Sequence, residues 1–311
     1  MAMANLPKLQ RLRDITWTSQ QSRLLEHYLQ AKALPLGGTA ELNKLFKSTV
    51  LVTLCYDQTS VRSDKLLALG IAIFARQHVN SGGLIDTSAG AHAENYLSHV
   101  CSMHLRLREN AHVPSTNNDP NVYRFGTSAY VSKEELVDFL HEIWHQPLDE
   151  ENPKLGYRPI ICLQHGNAHG HRATWQELGF DPMKMDTNIA MIDSQIIAQQ
   201  SKLTRNPYAE IEYILDQFNI QPCDSTNCGN AAVYITISSV LCALRKDLYQ
   251  SPQNPKSKPG EYGQSASKTA QAVVNKRMER PTPAPPIGTE GYCLRCKSDR
   301  HCFAECPLYF E

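Results

Sequence analysis

Four residues near the C-terminus, Cys293, Cys296, His301 and Cys306, are spaced Cys-x2-Cys-x4-His-x4-Cys within GYCLRCKSDRHCFAECPLYFE. Three thiolates and one imidazole at these intervals can close a tetrahedral shell around Zn2+, the ligand set of a structural zinc site. A tail of about twenty residues cannot bury a core of its own, so a bound metal is its available route to a fold. A further thiol, Cys302, lies beside the histidine and is either a bystander or a ligand in place of His301. Apolar and basic side chains alternate with the ligands. Tyr292, Leu294 and Phe303 could stack on unpaired bases, and Arg295, Lys297 and Arg300 could meet phosphates. The expectation is one structural Zn2+ and a grip on single-stranded RNA or DNA; the other reading is a zinc-stapled protein-interaction tail.

This spacing resembles the retroviral-type zinc knuckle. It departs from the usual knuckle with Arg300 where a glycine commonly precedes the histidine, and with Leu294 where an aromatic is frequent. Both changes bear on base stacking more than on metal binding.

A second group of candidate residues lies at the ends of apolar segments. DSTNCGNAAVY, residues 224–234, is a small polar turn entering an apolar helix, the kind of helix start that houses active sites. It keeps one acid, Asp224. The run ending in CYD carries Cys55 and Asp57, and HGN after RPIICLQ carries Asn167. Asp57, Asp64, Asp193 and Asp224 could form an acidic cluster, although Asp193 reads more simply as a helix N-cap. His165, His169 and His171 could present imidazoles to a transition metal or form a hydrogen-bonded cluster.

The elements that must hold these residues follow from periodicity. STVLVTLCYD and KLLALGIAIFARQ are apolar runs of strand length, and SMHLRLRE alternates as a half-exposed strand does, which together suggest a β-meander. Ser132 and Glu135 make a capping box before a helix bearing Leu136, Phe139, Leu140 and Ile143. Strands RPIICLQ and TNIAMID then alternate with helices RATWQELGF, NPYAEIEYILDQF and NAAVYITISSVLCALRKDLY. Three strands followed by α, β, α, β, α, α indicate a mixed α/β sheet. Two short helices, around TSQQSRLLEHYLQA and ELNKLFK, precede it.

The 311 residues carry 31 basic and 31 acidic side chains and are 41% hydrophobic, as in a globular protein with no bulk basicity. The apolar runs are too short or too polar to cross a bilayer, and MAMANLPKLQRLRD has no apolar signal region, so an intracellular setting, cytoplasmic or nuclear, is expected. The six cysteines of the large region then read as buried free thiols. Residues 251–290 hold seven of the eighteen prolines and few large apolar groups, the composition of a disordered linker, with six basic against three acidic side chains. The expected organisation is a helical extension (1–47), an α/β domain (48–250), a disordered basic linker (251–290) and the knuckle (291–311).

Taken in order, VYRFGTSAYVSKEEL, RPIICLQHGNAHGHRATWQELGF, IAMIDSQIIA and STNCGNAAVYI resemble the Asp-Glu-Asp-Asp exonuclease-like domains of ribonuclease-H-like fold, in particular the fungal type named for "good for full DEAD-box protein activity". The likeness covers about residues 48–246. Active members hold two Mg2+ with four carboxylates. The resemblance implies that Cys55 replaces the first acid, Asp57 retains the second, Asn167 stands in the third place, Thr226 replaces the general base and Ala231 replaces the last ligand. The chain is therefore expected to be a nuclease relative without catalytic residues, acting as a nucleic-acid-binding protein. A weak or metal-altered 3′–5′ exonuclease and a protein-interaction scaffold are the alternatives.

Overall fold

The structure, a computed structural model, describes residues 4–58, 65–76, 88–111, 122–166, 172–249, 269–293, 295–301 and 306–309. The three apolar runs form the expected antiparallel meander of β1 (Val50–Gln58), β2 (Leu66–Ala75) and β3 (Cys101–Leu107). Then β5 (Ile160–Gln164) pairs parallel with β1, and β6 (Asn188–Asp193) pairs parallel with β5. A strand not foreseen in the sequence, β4 (Ser128–Val131), lies parallel to β3 and gives the order β4-β3-β2-β1-β5-β6. Its four residues are too few to show a period.

Alternation along β1 sorts its side chains to two cores. Leu51 and Cys55 face a layer built by α1 (Leu6–Trp17), α2 (Gln21–Leu29), α3 (Ala40–Lys47), α7 (Ser194–Gln200), α8 (Ile211–Asp216) and α9 (Cys228–Ala243). Val50, Val52 and Leu54 face α5 (Lys133–Trp144) and α6 (Arg172–Leu178), with Trp144 and Phe180 fully buried there. The capping box of α5 is present: Glu135 N donates to Ser132 Oγ at 3.1 Å, and Ser132 N donates to Glu135 Oε2 at 2.7 Å. Helix α9 is buried along nearly its whole length, as a helix apolar on every side must be.

Two glycines set how closely α9 approaches the sheet. A Cβ on Gly70 of β2 would lie 1.9 Å from the carbonyl oxygen of Cys228, and one on Gly229 would lie 2.7 Å from His104 Cβ. The start of α9 therefore rests directly on β2 and β3. The buried Thr53 and Thr236 hydroxyls, 2.6 Å apart, tie its middle to β1.

Two expectations about organisation need correction. The helices of residues 1–47 are built into the fold rather than appended to it. Leu9 and Leu12 are fully buried, Arg13 Nε and Nη2 donate to the carbonyls of Asn188 (2.8 Å) and Met185 (2.5 Å), and Thr16 Oγ1 donates to Ile189 O at 2.5 Å. Asp193 N donates to Gln21 Oε1 at 2.7 Å.

The second half of the segment read as a disordered linker is ordered. Residues 270–279 form α11 (Ala270–Glu279), capped by Thr269, with Ala270 and Val274 buried in the α9 core. Arg277 Nη2 donates to Val100 O and Thr282 Oγ1, each at 2.6 Å, and Thr282 N donates to Phe125 O at 2.7 Å. Two valines and an alanine on one face are enough to seat a helix whose other faces are polar. Residues 251–268 lie outside the described residues.

Candidate active site and metal centre

The C-terminal ends of β1 and β5 and the first turn of α9 converge on a pocket of about 190 Å3. Cys55 from β1, Gln164 at the end of β5 and His165 just after it, Trp175 from α6, and Ala231 and Ile235 from α9 line it. Among the described residues, no carboxylate lines it. Cys55 is pushed up to about 12 by burial and by the nearby Asp57 charge, so it remains a neutral thiol. Asp57 stands two positions further along β1, half-buried, at a register irregularity. Burial, with Cys55 and Asp57 adding to it, also drives the Cys228 thiol well up.

The remaining candidates have other duties. Asp193 caps α7, accepting from Gln195 N at 2.8 Å and from Gly166 N at 3.3 Å, as the N-cap reading expects. His165 shares a 2.6 Å hydrogen bond between Nδ1 and Ser194 Oγ, and burial lowers it to about 4, leaving the ring neutral. Thr226 is exposed and is not part of the pocket lining. Asn167, His169, His171 and Asp64 lie outside the described residues.

The polar turn before α9 keeps its shape through residues that do no chemistry. Asn227 is the N-cap, its side chain accepting from Asn230 N at 3.1 Å. Asn230 is fully buried; its Oδ1 accepts from Arg124 N at 2.8 Å, and its Nδ2 donates to Val122 O at 2.7 Å and Asp224 O at 3.0 Å. Asp224, in the left-handed region at φ 49°, holds the Arg124 guanidinium at 2.9 Å. Tyr234 OH accepts from Cys223 N at 2.9 Å. The surviving acid is thus a surface partner of Arg124. Asn230→Ala should cost about 2–3 kcal/mol, because it removes a fully buried side chain and leaves three partly buried backbone groups without their partner. Asp224→Asn should cost under about 1 kcal/mol, as exposed pairs do. Urea unfolding of both variants checks the order, and equal losses would contradict it.

One spacing was passed over in the sequence. His141, Glu142 and His145 of α5 and its C-cap follow H-E-x-x-H, a pattern that can bind zinc on a helix. Their rings lie nearly parallel at 5.9 Å, His141 packs edge-on against Phe180, and His145 Nδ1 is 2.7 Å from His141 O. The pair packs the helix end and does not converge on an ion.

Among the described residues, only the C-terminal quartet brings three or more such ligands together. The ligand atoms of Cys293, Cys296, His301 and Cys306 all lie within 4.8 Å of one another, and Cys296 Sγ is 3.3 Å from His301 Nε2. Ligands on one tetrahedral zinc are separated by roughly 3.5–3.8 Å, so the donor set could hold this ion. The turn is closed by Lys297 N donating to Cys293 O at 2.7 Å and by Cys293 N donating to Ser298 O at 2.8 Å, with Lys297 at φ 59°. Desolvation works against a thiolate at Cys293. The backbone N–H groups of Cys296 and Arg295 outweigh it and bring the thiol down to about 6, toward the form that ligates metal.

The segment that carries the Cys/His quartet is docked on the sheet. Tyr130 and Thr289 exchange backbone hydrogen bonds of 2.7 and 3.0 Å, and the Tyr292 ring lies 6.1 Å from that of Tyr130. On Tyr130 also rests Arg106, its guanidinium carbon 5.2 Å from the ring centroid. Tyr292, foreseen as a free base platform, therefore has its ring packed beside Tyr130. Arg295, Lys297 and Arg300 are exposed. Leu294, Phe303 and Cys302 lie outside the described residues.

A mixed six-stranded sheet with an antiparallel meander, flanked by helices, and a strand-end pocket under the first turn of α9 define a ribonuclease-H-like domain of exonuclease type. Residues 52–242 match the family described as DNA polymerase III subunit epsilon-like, C-terminal domain, and the chain belongs to that family. No curated protein matches the chain. No helix among the described residues is long and apolar enough to cross a membrane.

Proposed function

We propose that the protein binds single-stranded nucleic acid, RNA foremost, through a zinc-loaded knuckle, and that its exonuclease-like domain no longer cuts. The observation that carries this reading is the pocket beneath α9, where Cys55 and Ala231 stand and, among the described residues, no carboxylate lines the wall. Hydrolysis by two metal ions needs hard anionic oxygens to hold both ions, one to activate water and one to stabilise the leaving oxygen. A neutral thiol and a methyl group supply neither. Assignment to the fungal "good for full DEAD-box protein activity" type belongs to the same proposal and rests on the segments quoted above. A reducing, intracellular setting is part of it, since the knuckle depends on free thiolates.

The binding half rests on the docked tail. Arg295, Lys297 and Arg300 are exposed around the metal cage, and Lys276 and Arg280 of the α11 segment add exposed charge. Two measurements test the reading. With Mg2+ or Mn2+, the full chain should leave labelled single-stranded RNA and DNA untrimmed; trimming that disappears in Asp57→Ala would restore the enzyme. Combined Arg295→Glu, Lys297→Glu and Arg300→Glu should weaken RNA binding and flatten its salt dependence by about two units of log–log slope, at roughly 0.7 per lost phosphate contact. Unchanged affinity would place the nucleic acid elsewhere, and a wild-type chain that binds none would be a protein scaffold.

A further inference from the structure

A second cavity lies where β2 ends. Ala75 pairs with Val50 at the start of β1, so Arg76 follows the strand end opposite Asp57, about 26 Å away at roughly 3.3 Å per residue. The cavity has a volume of about 610 Å3, within the range of small-molecule sites. Arg76, Gln30, Tyr96, Leu244, Asp247 and Leu248 line it together with the 88–91 turn.

Arg76 is 8% exposed. Its Nη1 donates to the carbonyls of Leu29 at 2.5 Å and Tyr28 at 3.4 Å, and its guanidinium carbon lies 5.9 Å from the Tyr96 ring centroid. Its Nε is buried without a hydrogen-bond partner, and among the described residues no carboxylate lies within ion-pair range of it. Carbonyl dipoles and a ring face hold the cation, but no counter-charge among the described residues does. A buried charge ordinarily requires one. Gln30 Oε1 is likewise buried and unpartnered, while its Nε2 donates to the Asp247 carboxylate.

We propose that this cavity binds a small organic anion, with one carboxylate or phosphate head against Arg76 and an apolar body against Tyr96, Leu244 and Leu248. A planar guanidinium matches either head group through paired N–H donors. Asp247 on the wall selects against additional negative charge, which favours a monoanion with a hydrophobic body over inorganic phosphate. The site is remote from the strand-end pocket, and its occupancy is independent of whether the knuckle binds RNA.

The test uses the zinc-loaded full chain, with benzoate and inorganic phosphate as probes and ligand-observed NMR as the readout. Benzoate should bind saturably at one site and more tightly than phosphate. Arg76→Met should weaken it about tenfold or more, the loss expected for one charge-assisted pair. Ala91, an exposed residue of the lining, offers a second variant: Ala91→Trp fills the mouth without touching the guanidinium and should weaken benzoate similarly. If Arg76→Met does not fold, Ala91→Trp decides. Absence of saturable binding up to about 10 mM, or unchanged binding in Ala91→Trp, overturns the proposal. Phosphate binding as tightly as benzoate overturns the assignment of an apolar body.

Discussion

Alanine at position 70 should unfold the exonuclease-like domain at ordinary temperatures. The added Cβ would lie 1.9 Å from Cys228 O, 2.3 Å from Cys228 C and 2.7 Å from Gly229 N, all backbone atoms of the start of α9. No rotamer change can relieve contacts with main chain. Helix α9 would have to lift off a sheet that it covers with a fully buried face. Overpacking a core usually costs about 1–3 kcal/mol, and forcing backbone from backbone belongs at or above about 4 kcal/mol, comparable with the whole stability of many domains. Gly179→Ala is the control: that residue has φ 82° and nothing within 4 Å of a built Cβ, so only left-handed strain of about 1–2 kcal/mol should appear. Circular dichroism melts of both variants check the contrast. A Gly70→Ala protein as stable as the control would show that α9 is free to retreat.

The second large effect should come from the metal. The purified, reduced chain should carry one zinc, and Cys293→Ser with Cys306→Ser should carry none. Structural zinc in small fingers is worth about 10–16 kcal/mol of binding free energy, which in such a short segment is folding free energy. Residues 291–309 should therefore lose their fold when a chelator removes the ion. The sheet and its two cores should survive, because they take only Ala270, Val274 and partly buried neighbours such as Ile287 from the tail. The tilted contact of the Tyr292 ring with Tyr130 couples the two. Amide exchange at Tyr130, whose N–H donates to Thr289 O at 2.7 Å, should accelerate on chelation. A zinc content near zero would remove the metal assignment, and unaltered exchange would show that the tail docks without the ion's help.

Signals held within a few neighbouring residues carry through to the fold, and features that depend on a distant partner leave little trace in the sequence. The strand-length runs of β1 to β3, the Ser132–Glu135 box and the Asp193 cap are written within a few neighbouring residues, and each element appears as expected. The exposed face read from the alternation of SMHLRLRE does not: Ser102 and His104 are buried as fully as Met103 and Leu105, because the start of α9 covers that side of β3. The ligand spacing of the quartet is likewise local. Helix α11 is hidden in the sequence because AQAVVNKRME offers only a narrow apolar stripe, and what holds it is the short helix Glu94–Leu97 and the carbonyl of Val100, far away in sequence. The four residues of β4 gain meaning only beside β3 and Thr289. Arg76 was missed for the same reason: a lone arginine after an apolar run gives no hint that folding will bury it without a carboxylate partner.

The two ends of the chain finish the two ends of the sheet. Strand β6 offers its outward carbonyls at Asn188 and Ile189 to Arg13 and Thr16, and its amide at Asp193 to Gln21, while β4 on the far side exchanges hydrogen bonds with Thr289. An unprotected outer strand is a template on which another chain can add, the usual route to edge-to-edge aggregation. Side chains of α1 and α2 and a short backbone bridge from the tail occupy both templates. A version trimmed to the family-matched segment, 52–242, would expose both rims at once. Insolubility from those rims would add to the loss of the core that Leu9, Leu12, Leu25 and Phe46 supply, and restoring either terminus alone should cover only one of the two edges.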